Sequence, residues 1–317
     1  PSMTNVFEMY AGKQATLVHA VASPYRSRSH FDGQDVLENG GAAVHALKDG
    51  WLNRAIAPLG GSLGNERAIA ISQMTPLLLR GEQSVSSWAD SRLPDAEAYT
   101  LQRIQAMYAN DPFFSTRLAQ ALEAQEIADT QGDMQGKSAR GGAERFKSQL
   151  QSAARFLTTP QGPRIAVVES GGWDTHANQG AAKGGLAGKL KMLDEGMAVL
   201  KNELADDWSK TVVVVVTEFG RTAAVNGTRG TDHGTASAAL LAGGALAGGK
   251  VLTDWPGLAR ENLFEGRDLY PTTDLRSVFK GVLIQHLGLD QAFVDKKVFQ
   301  DSKSAGVMDG LIATAAA

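Results

Sequence analysis

The segment TVVVVVTEFGRTAAVNGTRGTDHGTASAALLAGG, Thr211–Gly244, decides how this chain is read. Val212–Val216 is an apolar run without polar alternation, so both of its faces are predicted to be covered, as in a strand inside a layered α/β protein. Glu218 follows directly; after a turn-forming NGTRG stretch come Asp232 and His233, and then a second apolar run. A carboxylate beside a buried strand needs a cation or several donors, because an unpaired charge out of water is strongly destabilising. The candidates are a metal ion, Arg221 or another basic side chain.

Four further apolar runs read as strands: ATLVHAVAS (Ala15–Ser23), RAIAISQM (Arg67–Met74), RIAVVES (Arg164–Ser170) and AALLAGGA (Ala238–Ala245). Between Ser170 and Thr211, Leu186, Leu190, Leu193, Met197, Leu200 and Leu204 recur at helical spacing, which predicts a βαβ unit with a right-handed crossover. Thr272-Thr273-Asp274 ahead of Leu275, Val278, Phe279, Val282 and Leu283 predicts a capped amphipathic helix. From about Pro94 to Leu157 the pattern is helical with no strand. The expected fold is one α/β domain over residues 1–317, doubly wound, with a mostly parallel sheet flanked by helices and a helical insertion at 94–157.

Composition narrows the function. At 317 residues, 43% hydrophobic, the chain is long enough for a sizeable core, and a net charge of −3 with no dense basic run excludes a general nucleic-acid footprint. With no cysteine, disulfides and thiolate metal sites are excluded, so any metal is held by oxygen and imidazole. No apolar run approaches the roughly 20 residues that span a bilayer. The start PSMTNVFEMY, without an initiator Met, reads as processed or truncated. QGDMQGKSARGG (Gln131–Gly142) contains Gly136-Lys137-Ser138, but it has three rather than four residues between Gly132 and Gly136 and follows a helical segment. It reads as a linker, not a phosphate-binding loop.

Three polar clusters sit at predicted strand ends. In VVESGGWDTHANQG (Val167–Gly180), Asp174 and His176 follow a glycine pair; together they suit zinc, manganese or iron, or else form an Asx-turn with an exposed histidine. Glu218, Asp232 and His233 supply the second cluster, and the convergence of two strand ends favours a divalent metal. In SPYRSRSHFDGQDVLENG (Ser23–Gly40), a helix is predicted to begin near Ser29. Ser29 is either a plain N-cap or a nucleophile, with Ser27 the weaker candidate; Arg26 and Arg28 flank it as clamps for a phosphate or sulfate. His19 is assigned to a strand, and His45 and His286 to helices, as packing or surface residues.

These three segments together, with GGWDTH, TEFGRT and GTDHGT in that order, resemble the bacterial DUF1501 family, which is grouped with the alkaline phosphatase superfamily alongside sulfatases and cofactor-independent phosphoglycerate mutases. The resemblance implies a site at strand carboxyl ends, two divalent metals and a Ser or Thr nucleophile opening a helix. By position, Ser29 matches the nucleophile, and Asp174, His176 and His233 match ligands of one metal. Glu218 stands where the superfamily usually has an aspartate, and Phe219 where it has an adjacent histidine. Members normally carry, ahead of the region where this sequence starts, a strand ending in Gly-Gly-x-Asp-Gly and an exported leader, commonly of the twin-arginine type. The resemblance thus implies a periplasmic or secreted hydrolase of small-molecule phosphate or sulfate esters, or a non-catalytic exported binding or assembly protein that keeps the fold.

Overall fold

A computed structural model of the chain describes residues 2–59, 66–89, 97–129 and 141–313. The element order is α1 (Thr4–Ala11), β1 (Ala15–Ala22), α2 (His30–Asn39), α3 (Trp51–Ile56), β2 (Ala68–Ala70), β3 (Ser86–Ser87), α4 (Ala98–Tyr108), α5 (Pro112–Asp129), α6 (Gly142–Thr158), β4 (Ile165–Val167), α7 (Gly185–Leu204), β5 (Val213–Val215), β6 (Ser237–Ala242), β7 (Lys250–Leu252), β8 (Thr273–Asp274) and α8 (Leu275–Gln285), with short helical turns between them. Each of the five expected strand segments contains a strand. Gly136, Lys137 and Ser138 lie outside the described residues, as do residues 90–96 around the start of the expected insertion.

The strands form two sheets, one ordered β5-β6-β1-β7 with β8 paired to β1, the other β3-β2-β4. The smaller sheet is parallel, but in the larger one β6 runs antiparallel to both β1 and β5. The fold is therefore α/β with a mixed sheet: among the described residues β1 pairs parallel with β7 and β8 and the smaller sheet is parallel, as expected, while the pairings of β6 are antiparallel. The cause is the link from β5 to β6: it holds no helix and folds back on itself, with Gly220 N–H donating to Thr235 O and Thr222 N–H to Asp232 O. A strand that returns without a crossover must pair antiparallel. The expected βαβ unit has its order, β4-α7-β5, yet β4 and β5 are outer strands of different sheets.

Helices cover both faces of the larger sheet. On one side Val18, Val21 and Leu241 pack with Trp51 and Leu52 of α3 and Leu275, Val278 and Phe279 of α8. On the other, Leu240 and Ala242 pack with Val6 and Met9 of α1, Phe146 and Leu150 of α6, and Leu193, Met197 and Leu200 of α7. Alternate valines of β5 point into the two cores: Val214 toward the first, and Val213 and Val215 toward the second. This explains why the run has no polar alternation. The β5 valines nonetheless keep partial exposure, because the strand is open along one edge.

Local chemistry fixes the element ends. The Asp274 carboxylate caps α8 by accepting from Arg276 N–H, as the Thr-Thr-Asp start predicts. α2 stops at Gly40, whose φ of 71° lies in the left-handed region favouring glycine. Near its carboxyl end β1 carries an irregularity between His19 and Val21, with Ala20 at φ 53°, and the strand passes from β6 to a short parallel pairing with β8. Such bulges re-aim a chain; here the chain goes on to Ser23–Ser29 and the start of α2. His45, expected on a helix, lies in a turn, where its N–H donates to Asp35.

Candidate metal centre

Four side chains from three segments meet around the Asp174 carboxylate. His30 is the first residue of α2, Asp174 and His176 lie in the loop after β4, and His233 lies in the return loop between β5 and β6. His176 Nε2 is 2.9 Å from Asp174 Oδ1, His233 Nε2 is 3.1 Å from the same oxygen, and His30 Nε2 is 3.4 Å from Oδ2. His176 Nε2 and His233 Nε2 are 3.0 Å apart. One ligand atom each from His30, Asp174 and His233 falls within 4.8 Å of the others, forming a group able to hold a metal ion.

The opposite nitrogen of each ring faces an acceptor. His30 Nδ1 is 2.7 Å from Glu218 Oε1, His176 Nδ1 is 3.3 Å from Asp232 Oδ1, and His233 Nδ1 is 2.8 Å from the carbonyl of Arg28. An acceptor at Nδ1 takes a ring proton there and turns Nε2 toward Asp174, where in the neutral ring it is the free ligand atom. Metal-ligating histidines are held in the same way, through their other ring N–H. His30 Nε2 is also buried with no hydrogen-bond partner among the described residues, an arrangement that favours a cation in front of it.

The carboxylates are held charged. Burial pushes the Asp174 carboxyl up, but the Arg221 hydrogen bond and charge, with His176 and His233, outweigh it and bring the group to about 2. Arg221 donates to Asp174 Oδ1 and also to the carbonyls of Trp173 and Thr231, joining the two loops. Of the partners expected for Glu218, a metal, Arg221 or another basic side chain, the structure supplies the last: Glu218 pairs with His30. Burial raises its carboxyl, yet the Thr217 hydroxyl, its own backbone N–H and His30 hold it below the usual range. Asp232 is lowered by Asn226 and His176. Glu218 and Asp232 thus grip ring nitrogens on the far side of the cluster, while Asp174, His176 and His233 point inward.

Phe219 forms a wall of this site. Its buried ring lies 4.9 Å from His30 and 5.0 Å from His233, centroid to centroid. α2 approaches it closely because residue 33 is glycine: a Cβ there would stand 3.0 Å from the Phe219 ring. Trp173 packs partly buried against the α7 core and donates to Ser170 Oγ.

Ser29 is the N-cap of α2, and its side chain makes no capping hydrogen bond; its N–H donates to the Tyr25 hydroxyl. The flanking arginines are engaged elsewhere. Arg28 donates through Nε to Asp268 and through Nη2 to Glu265, and Arg26 donates through Nη1 to the Ser23 and Tyr25 carbonyls. Arg28 reaches the cluster through its carbonyl, not its guanidinium. A cavity of about 740 Å³ opens between α2, α6 and the loop after β4, lined in part by Phe31, Gln34, Arg145, Glu169 and Gly171; none of the four clustered side chains lines it.

Sequence reasoning passed over His30. Its signal is position: it follows the N-cap serine, so any group assembled around Ser29 includes it.

A family model described as protein of unknown function (DUF1501) matches residues 1–300. The chain belongs to the DUF1501 family. All four clustered residues of this DUF1501 chain fall within the matched span. No curated protein and no solved structure matches the chain.

Proposed function

We propose that this DUF1501 chain is a metal-dependent hydrolase of phosphate or sulfate esters, related to the alkaline phosphatase and sulfatase group, acting outside the cytoplasm on a small-molecule ester. One observation carries the reading: three imidazole Nε2 atoms and one carboxylate converge at the amino end of α2, beside a serine whose hydroxyl makes no capping bond. The donors fit a divalent ion. His30, His176, His233 and Asp174 would hold it, and an all-nitrogen-and-oxygen set suits zinc, manganese or iron. When bound, such an ion polarises an ester oxygen and lowers the pKa of a nearby hydroxyl.

The chain's own groups divide the remaining work. The first N–H groups of α2 and its dipole favour an anionic ester at Ser29. Ser29 Oγ attacks phosphorus or sulfur as its hydroxyl proton is lost, the bond to the ester's alcohol oxygen breaks and that oxygen takes up a proton, and water then cleaves the serine ester, releasing phosphate or sulfate and returning a proton to Oγ. Arg221 keeps Asp174 ionised across the working pH range.

Elemental analysis of the purified protein and a panel of aryl phosphates and aryl sulfates test this. Bound metal and turnover abolished by Ser29→Ala are expected; no metal, with activity indifferent to Ser29→Ala and His233→Ala, would remove the reading. A second reading, a non-catalytic binding or assembly protein with one structural metal, is favoured by the engagement of Arg26 and Arg28 away from the cluster. It requires that chelation lower the melting temperature while no ester is turned over.

A further inference from the structure

We infer that Asp268 is a positioning residue for the His233 imidazole, acting through two arginines; the inference rests on the metal reading above. The Asp268 side chain is fully buried. A carboxylate in that setting persists only when donors surround it, and three do: Arg28 Nε at 2.8 Å, Arg267 Nε at 2.9 Å and Thr235 Oγ1 at 2.9 Å.

Both arginines lead to His233. The carbonyl of Arg28 receives His233 Nδ1–H at 2.8 Å, and Arg267 Nη2 donates to the His233 carbonyl. One buried carboxylate thus anchors the acceptor that orients the ring and the donor that holds its backbone. Arg28 needs the anchor, because its φ of 62° is in the left-handed region that a side-chain-bearing residue rarely adopts. Its other partner, Glu265, is 58% exposed, and a pairing in water holds a backbone poorly. Without the Asp268 charge, both arginines lose their buried partner and the Arg28 carbonyl is free to turn. His233 then loses the acceptor that keeps its proton on Nδ1 and its Nε2 toward Asp174.

The test uses the full chain as wild type, Asp268→Asn and Arg28→Met. Two quantities are read: cobalt(II) affinity with its visible spectrum, and the ¹⁵N shifts of the His233 ring nitrogens in chelator-treated protein. Asp268→Asn is expected to weaken cobalt binding about 10- to 100-fold and to turn a single Nδ1–H tautomer into a mixture. Arg28→Met leaves Asp268 with two donors, so it decides the matter if Asp268→Asn does not fold, and it is expected to shift the tautomer in the same direction. Variants that lose thermal stability but keep the wild-type cobalt affinity, spectrum and tautomer would overturn the inference and leave Asp268 a clamp of the fold alone. If the wild type binds no cobalt, the metal reading falls, and the tautomer comparison still decides the role of Asp268.

Discussion

The Nε2 atoms of His176 and His233 lie 3.0 Å apart, while Nδ1 of His176 faces the Asp232 carboxylate and Nδ1 of His233 faces the Arg28 carbonyl. Two lone pairs at that separation repel unless a proton or a cation lies between them. A divalent ion relieves the repulsion and binds only the folded chain, so adding zinc or manganese to chelator-treated protein is expected to raise its melting temperature. At 100 times the dissociation constant the gain is about 2.7 kcal/mol. Calorimetry with and without chelator measures it. His176→Ala and His233→Ala are expected to abolish the shift, and equal melting temperatures in chelator and in metal would count against the site.

The far-side carboxylates make a separate prediction. Glu218 orients His30 from a partly buried position at 2.7 Å, whereas Asp232 holds His176 at 3.3 Å from an exposed one. Glu218→Gln is expected to weaken metal binding about 10- to 100-fold, as loss of an outer partner does, and Asp232→Asn by less, because water replaces an exposed acceptor. Competition with a chromophoric chelator measures both. If Asp232→Asn costs as much as Asp174→Asn, Asp232 is a direct ligand and not an orienting group.

Strand segments and clustered polar residues were legible in the sequence because burial and turn chemistry are local. Val212–Val216 announces a strand covered on both faces, and the Asp174-x-His176 and Asp232-His233 pairs announce polar groups at strand ends. Strand direction was not legible: a strand covered on both faces reads the same whichever way its neighbour runs, and only the hydrogen-bonded return from Gly220 to Thr235 makes β6 antiparallel. The roles within the site were also hidden. Whether Glu218 meets Arg221, a metal or His30 depends on where α2 lands, which Gly33 and Phe219 set through tertiary packing. Asp268 gave no signal at all, because its partners Arg28 and Thr235 are distant in sequence and close only after folding.

The return loop depends on two glycines. A Cβ at Gly220 would stand 1.8 Å from the Ala236 carbonyl oxygen, and one at Gly234 would stand 2.4 Å from the Arg221 carbonyl carbon; both neighbours are backbone and cannot swing aside. Gly220→Ala and Gly234→Ala are expected to destabilise the protein by about 1–3 kcal/mol or more and to weaken metal binding by displacing His233. Gly227 has nothing within 4 Å of the corresponding Cβ, so Gly227→Ala serves as the control, with an effect of no more than about 0.5 kcal/mol. Urea midpoints measure all three. A Gly220→Ala midpoint equal to that of Gly227→Ala would mean that the two strands of the loop are not in close contact.

Glu169 offers a pH test away from the histidines. Desolvation by the walls of the cavity it lines, and secondarily the nearby Glu38 carboxylate, push the carboxyl of this solvent-exposed residue above the ordinary value, and it has no ion-pair partner among the described residues. A carboxyl with a raised folded-state pKa binds its proton more tightly folded than unfolded, so its charged form lowers stability once the pH exceeds the raised value. Glu169→Gln removes that charge. The variant is expected to have a higher urea midpoint than wild type at neutral pH, and the difference should shrink as the pH falls through the carboxyl range, where Glu169 is protonated in both states. The effect is small, because the side chain keeps contact with water. Measuring midpoints from about pH 3 to pH 8 spans the transition; a gain that is the same at every pH would show that the mutation acts through packing and not through the carboxylate charge.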